Sequence, residues 1–290
     1  MRWSDLCRKL LFTVLCLTVF EFLIFGVETQ DPPSCETASA TPRNTSDSPP
    51  SGSTERPAFQ SNDYDNLLPG IPGPADTIIE RKGYALGFYL RHKQAGWVSY
   101  KLTRWEVTTR IAKRNDRFKA DPEAAGGSAK PSDYTKSGYD RGHLAPAADM
   151  LFSHQTMIDS FYMSNISPQA PMFNRGVWKK LEAQIRAFAV AEDEIYVVTG
   201  PVLPTEKTIT IGESEVTVPK YFYKVVYDIT PPQKMIAFVL PNEPSKRPLK
   251  DFAVTVDHVE KLTGLDFFSQ VPEPEQSQME ATITIDAWAW

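Results

Sequence analysis

From residue 28 to about residue 75 the chain has no periodic apolar pattern, and this gap limits where a fold can form. The stretch is rich in Pro, Ser, Thr and Asp, a composition that buries too little apolar surface to offset chain entropy. It is expected to be a disordered tether. A folded domain is therefore expected in residues 76–290, roughly 215 residues and an ordinary size for one domain. Ahead of the tether, Leu10 to Val27 is apolar apart from Thr13, Thr18 and Glu21. As a helix it would rise about 27 Å, just short of a hydrocarbon layer of about 30 Å. Arg2, Arg8 and Lys9 precede the run, and Glu28, Asp31 and Glu36 follow it. That asymmetry reads as a signal peptide or signal anchor over residues 1–27, with the domain exported. Ala38-Ser39-Ala40 has the small-residue spacing of a cleavage site but lies far beyond the run, which favours an anchored form over a secreted or periplasmic one.

The net charge of −5 argues against a nucleic-acid partner until it is divided along the chain. Residues 1–75 carry −4 and residues 183–290 carry −7, whereas residues 76–182 hold 17 Lys/Arg against 11 Asp/Glu, a net +6. Phosphate binding follows local cation density, so the middle third is the candidate surface. Cys7, Cys16 and Cys35 all lie upstream of the expected domain, which excludes an internal disulfide or a thiolate zinc site there. With only His92, His143, His154 and His258 in the chain, a His-rich zinc cage is also a poor fit.

Tyr84–Leu90 and Trp97–Leu102 read as a hairpin around a His92–Gly96 turn. A long polar loop with Gly126-Gly127 leads to Tyr139, followed by short strands near His143 and over Phe161–Ile166. A helix is expected from about Asn174, with Trp178, Leu181, Ile185 and Phe188 forming one buried stripe. Glu194–Val198, Tyr221–Ile229 and Met235–Leu240 read as strands, and Asp251–Leu262 as a helix.

The chemistry-bearing residues cluster in three segments. They are Tyr139-Asp-Arg-Gly-His-Leu-Ala-Pro146, Phe161-Tyr-Met-Ser-Asn-Ile-Ser-Pro-Gln169, and Asn174 with Trp178, Leu181 and Glu182. In this order, with an Asn 31 residues after the His, they resemble the DNA/RNA non-specific endonucleases. That family includes mitochondrial endonuclease G and belongs to the ββα-metal, or His-Me finger, nucleases. The resemblance runs from about Tyr84 to Val202 and more loosely to the C-terminus. It implies an α+β fold: a ββα-metal domain with a mixed, largely antiparallel sheet and flanking helices. It also implies a metal-dependent endonuclease that cuts DNA and RNA with little sequence preference and leaves 5′-phosphate and 3′-hydroxyl ends.

Phosphodiester hydrolysis needs a base for water, an electrophile for the non-bridging oxygens and stabilisation of the leaving oxygen. A neutral histidine can take the water proton. The resemblance makes His143 that base and Asn174 the direct protein ligand to Mg²⁺, with Mn²⁺ as the alternative ion. One oxygen ligand suits a small cation that gives up its waters reluctantly, and Asn174 can also serve as a helix N-cap. Glu182 lies eight residues on, offset by about 80° and about 12 Å on a regular helix, so it is assigned to a metal-bound water. Asn165 is matched to the family residue that orients the catalytic site, and Arg141 to the arginine that contacts phosphate. Asp140 is placed with the substrate-binding residues as a group that orients its neighbours, an ion pair with Arg141 being the plainer alternative. Arg114 is preferred over Arg117 as the arginine that stabilises the pentacoordinate phosphate, and Lys113 joins them in the basic stretch expected to meet the backbone.

DNA and RNA are the expected partners, with a membrane added if the N-terminal segment is retained. A protein inhibitor and a homodimer are further candidates. Two rival functions remain: a membrane-tethered nucleic-acid-binding protein without catalysis, which a missing His143 or Asn174 would favour although both are present, and a toxin-type nuclease with a cognate inhibitor, whose catalytic residues would be the same.

Overall fold

Strands that are apolar at nearly every position must be covered on both faces, and the long strands here are. The computed structural model describes residues 65–206, 209–283 and 285–290. Its frame is a seven-stranded sheet of β1 (Thr77–Arg81), β2 (Tyr84–Tyr89), β3 (Gln94–Thr103), β6 (Glu194–Pro201), β9 (Tyr221–Asp228), β10 (Lys234–Pro241) and β11 (Ala253–Val254), in that order. Every pairing in it is antiparallel, and an isolated parallel bridge joins Lys119 to Tyr162 outside it. Alternation then sorts the side chains. Ile195, Val197, Phe222, Val226, Ile236 and Phe238 enter one core, whereas Tyr196, Val198, Tyr223, Val225, Met235 and Ala237 enter the other.

The first core is closed by a smaller unit that carries the three motif segments. It contains a two-stranded ribbon of β4 (Asp140–His143) and β5 (Ile166–Gln169), followed by a wide helical turn over Phe173–Trp178 and then α3 (Lys179–Glu192). Trp178, Leu181, Ile185 and Phe188 are all buried, as the helical stripe requires. Short helices α1 (Arg104–Thr108) and α2 (His154–Asp159) flank this side. The second core is closed by α4 (Val256–Thr263) and the segment after it, with α5 (Glu275–Glu280) beside β10. A small hairpin of β7 (Thr210–Ile211) and β8 (Val216–Thr217) packs with Tyr134 and Ile166.

Several expectations are corrected. The β2–β3 hairpin turns before Gln94, because Lys93 takes a left-handed backbone (φ 57°) and its Nζ donates to the carbonyls of Gly126 and Gly127. Gly96 therefore lies inside β3, where an added Cβ would come within 2.4 Å of the Tyr89 ring. The expected strand over Phe161–Ile166 begins only at Ile166, since Met163–Asn165 forms a 3-10 turn. The expected helix over Asp251–Leu262 is split by β11 and starts at Val256, where Thr255 Oγ1 accepts from the His258 N–H. Order also begins upstream of residue 76. Asn66 is buried, donates to Arg81 O, and accepts from Ser99 Oγ and the Lys101 N–H.

The apolar run at residues 10–27 and the tether up to residue 64 lie outside the described residues. Among the described residues no helix is long and apolar enough to cross a membrane.

Candidate active site

The ribbon sets the site. In β4 the alternation puts Arg141 and His143 on one face and Asp140 and Gly142 on the other. Gly142 faces Ser167 across the ribbon, and an added Cβ would sit 2.2 Å from the buried Gln169 side chain, so the Asp-Arg-Gly-His sequence has no room for a larger residue there. Asn165, fully buried, locks the backbone just past His143. Its Oδ1 accepts from the Ala145 N–H at 2.9 Å, and its Nδ2 donates to Ala145 O and Ser160 O, both at 3.0 Å. With its amide used in this way, Asn165 fixes the backbone at the strand end that carries His143.

His143 is buried, edge-on to Phe161 at 4.9 Å and tilted against Phe118 at 5.5 Å. Its Nε2 has no hydrogen-bond partner in the protein. Burial, assisted by the nearby charge of Arg114, pushes its pKa down to about 3, with Asp116 opposing. The imidazole is therefore neutral at neutral pH.

Two adjoining cavities of about 310 and 430 Å³ share Arg114, Arg141 and Asn174. The larger also takes in His143, Arg175, Lys179, Glu182 and Arg186. Arg114 pairs with Asp116 at 2.7 Å and approaches the Phe161 ring, and Arg141 lies over Phe118 at 4.4 Å. Arg117 and Lys113 are exposed on the same segment but line neither cavity. The structure thus brings Arg114 to the site and leaves the other two on the flank.

Asp140 does not pair with Arg141. Its carboxylate receives Arg175 through Nε (2.8 Å) and Nη2 (2.6 Å), and also Nδ2 of Asn174 at 2.9 Å. It acts on its neighbours and offers no donor to a phosphate. Nor does Asn174 cap the helix: the wide turn starts after Met172, and the Asn174 side chain is given to Asp140. Gly176 in that turn has non-helical dihedrals (φ −107°, ψ −109°), so the regular-helix offset between Asn174 and Glu182 does not apply. Both residues line one cavity.

Glu182 has a raised pKa, foremost through burial, with Asp149 adding to the rise and the charges of Lys224, Arg186 and Arg114 opposing it. Behind it, Arg186 bridges Asp149 at 2.7 Å, and Tyr100 OH donates to Asp149 at 3.2 Å. Lys224, fully buried on β9, donates to Thr199 Oγ1 at 3.1 Å and lies 4.7 Å from the Trp178 ring centroid. Sequence reasoning missed Arg186, Lys179 and Lys224. Arg186 and Lys179 stand four residues after and three before Glu182, which places them on its helical face. Lys224 shares a strand face with Phe222 and Val226, a charge set between two apolar side chains, with Asp228 following at the strand's end.

The donor set suits a hard divalent cation. Asn174 commits its amide nitrogen to Asp140, which leaves the oxygen to serve an ion, and Glu182 is a carboxylate whose charge burial disfavours. These oxygen donors match Mg²⁺ or Mn²⁺.

A family model of DNA/RNA non-specific endonucleases matches residues 62–274. The chain is 36% identical over 218 residues to nuclease C1 of Cunninghamella echinulata var. echinulata, spanning 70% of this chain and 86% of that one. It is 35% identical over 216 residues to mitochondrial endonuclease G of Homo sapiens, spanning 70% and 72%. Among solved structures, a chain of the EndoG/EndoGI complex superposes with a TM-score of 0.67 at 30% identity, over 76% of this chain and 94% of that one.

Proposed function

The chain belongs to the DNA/RNA non-specific endonuclease family, and from that premise we propose that this nuclease hydrolyses DNA and RNA phosphodiesters with little sequence preference, leaving 5′-phosphate and 3′-hydroxyl ends. The observation that carries the reading is a buried, neutral imidazole whose Nε2 lacks a partner, in a cleft walled by guanidinium groups. His143 Nε2 takes the proton of the attacking water. Arg114 and Arg141 hold the non-bridging oxygens, where fixed cations stabilise developing charge. Asn174 Oδ1, with Glu182 behind it, would hold a divalent cation, which would supply charge stabilisation to the phosphate and the leaving oxygen. Asp140 fixes which atom of the Asn174 amide faces the ion, and Asn165 fixes the strand end that carries His143.

The test is digestion of plasmid and of RNA by the full chain with Mg²⁺, with Mn²⁺ and with EDTA, followed by polymerase extension of the cut ends. Cleavage that needs the metal and yields extendable ends is expected. No cleavage with either ion, or cleavage undiminished by EDTA, would overturn the reading.

Export rests on the charge asymmetry around residues 10–27, and protection of the domain by the cytoplasm of intact cells would refute it. Control by a protein inhibitor is part of the same reading, since a structural relative was solved as the EndoG/EndoGI complex.

A further inference from the structure

Tyr139 is shared by two cavities. On one side lies the 310 Å³ cavity with Arg114, Arg141 and Asn174; on the other lies a cavity of about 330 Å³ lined by Tyr221, Lys220, Ile209, Asn242 and Glu243. We propose that the cleft continues past Tyr139 into a subsite for an unpaired base of the substrate strand, stacked on Tyr221. The proposal rests on the nuclease reading above and extends it to the form of nucleic acid that the site holds.

Three observations carry it. Tyr221 opens β9 with 46% of its surface exposed, and Ile209 beside it is 55% exposed, so an aromatic and an aliphatic face are presented together inside a concave site. An exposed ring beside a phosphate-binding cleft is the usual platform for a base. Second, the subsite is fastened to the catalytic ribbon. Asn242 Oδ1 accepts from the Ala170 N–H at 2.8 Å, and its Nδ2 donates to Pro168 O at 3.1 Å and to Pro219 O at 3.0 Å. One side chain thus ties β5, the partner strand of β4, to the residues leading into Tyr221. Third, the charge changes along the groove. The cavity that holds His143 is lined by Arg114, Arg141, Arg175 and Arg186; in the next one, up to Tyr139, Arg114 and Arg141 face Asp116 and Asp140, and here Lys220 and Glu243 balance each other, which suits a neutral base better than a phosphate. A base lying flat on Tyr221 exposes a face and an edge that a duplex covers, so the occupant is unpaired.

The experiment uses the full chain carrying His143→Ala in metal-free buffer, with a single-stranded 12-mer containing 2-aminopurine and a blunt duplex of the same sequence. Tyr221→Ala is expected to weaken single-strand binding about 5- to 150-fold, the effect of losing one base–aromatic stack. Duplex binding is expected to shift less than about 2-fold. Tyr221→Phe should retain both the affinity and the quenching of 2-aminopurine, and melting curves should show all variants folded. Equal losses on single strand and duplex, or no loss on either, would overturn the subsite. So would Tyr221→Phe behaving like Tyr221→Ala, or an effect seen only with a protein inhibitor. Failure of the chain with Tyr221 intact to bind nucleic acid at all would overturn the nuclease reading and the subsite with it.

Discussion

Replacing Asp140 with Asn separates what this side chain does for the fold from what it does for the site. Its carboxylate is nearly isosteric with an amide, so packing is kept while the charge is removed. The Arg175 arm adds little to stability, because that guanidinium is 71% exposed and screened by solvent. The Asn174 arm is charge-assisted at 2.9 Å and is weakened but not deleted, since the new amide oxygen still accepts. The expected cost to folding is about 1 kcal/mol, the scale of one moderated hydrogen bond, or about 2–4 °C in Tm for a domain of this size. The functional loss should be larger. Without the carboxylate the Asn174 amide is free to turn its nitrogen toward the cation, and loss of such an orienting partner costs about 10–100-fold in metal affinity or activity. Calorimetric titration with Mn²⁺, melting curves and plasmid nicking at limiting Mg²⁺ measure the three quantities separately. Wild-type metal affinity and nicking in Asp140→Asn would refute the argument. A large fall in Tm with metal binding intact would make Asp140 a scaffold residue only.

His143→Ala should leave the domain folded and reduce cleavage by about 10²–10⁴-fold, with partial rescue by imidazole; near-wild-type turnover would remove it from the mechanism. Arg114→Ala should weaken binding equally across unrelated sequences and lower the salt slope by about one, whereas Arg117→Ala, outside the cavities, should change the slope less. The reverse order would exchange their roles. Glu280 is buried beside Glu260 and Asp257, and its pKa is raised to about 7, foremost by burial. The folded state then binds more protons than the unfolded one between about pH 4.5 and 7, so stability is lost as pH rises through that window. Glu280→Gln should therefore stabilise the domain at pH 8 by about 1–2 kcal/mol, after discounting for solvent screening, and have little effect at pH 4.5; equal melting shifts at both pH values would contradict this.

The ribbon and α3 were legible because their signals are local. Short runs alternate with period two, a four-residue stripe recurs with period 3.6, and the spacing of the three motif segments carries the site. What escaped depends on contacts distant in sequence or on backbone detail. The hairpin register turns on Lys93 reaching Gly126 and Gly127, and nothing in residues 92–96 shows that reach. The break at Gly176 moved Glu182 away from the position that regular-helix geometry assigns, because a glycine inside a helix does not announce its dihedrals. Asn165 is read from the resemblance as an orienting residue, but the partners it uses, Ala145 and Ser160, lie 20 and five residues away, and nothing in the motif marks them as such. Lys224 was missed because a lysine in a strand ordinarily points to solvent.

The buried charges behind Glu182 restrict how this chain can diverge. Lys224 and Arg186 oppose Asp149 and Glu182, two of each sign in one interior patch. Removing one member leaves its counterpart uncompensated away from water, a loss of about 3–5 kcal/mol, whereas replacing an opposed pair with apolar residues of similar volume is close to neutral. Descendants of this chain are thus expected to change these positions in pairs, Lys224 with an acidic member and Arg186 with Asp149. Glu182 and Arg186 both line the cleft, so each pair has one member in the candidate site, and both pairs are expected to change only as units.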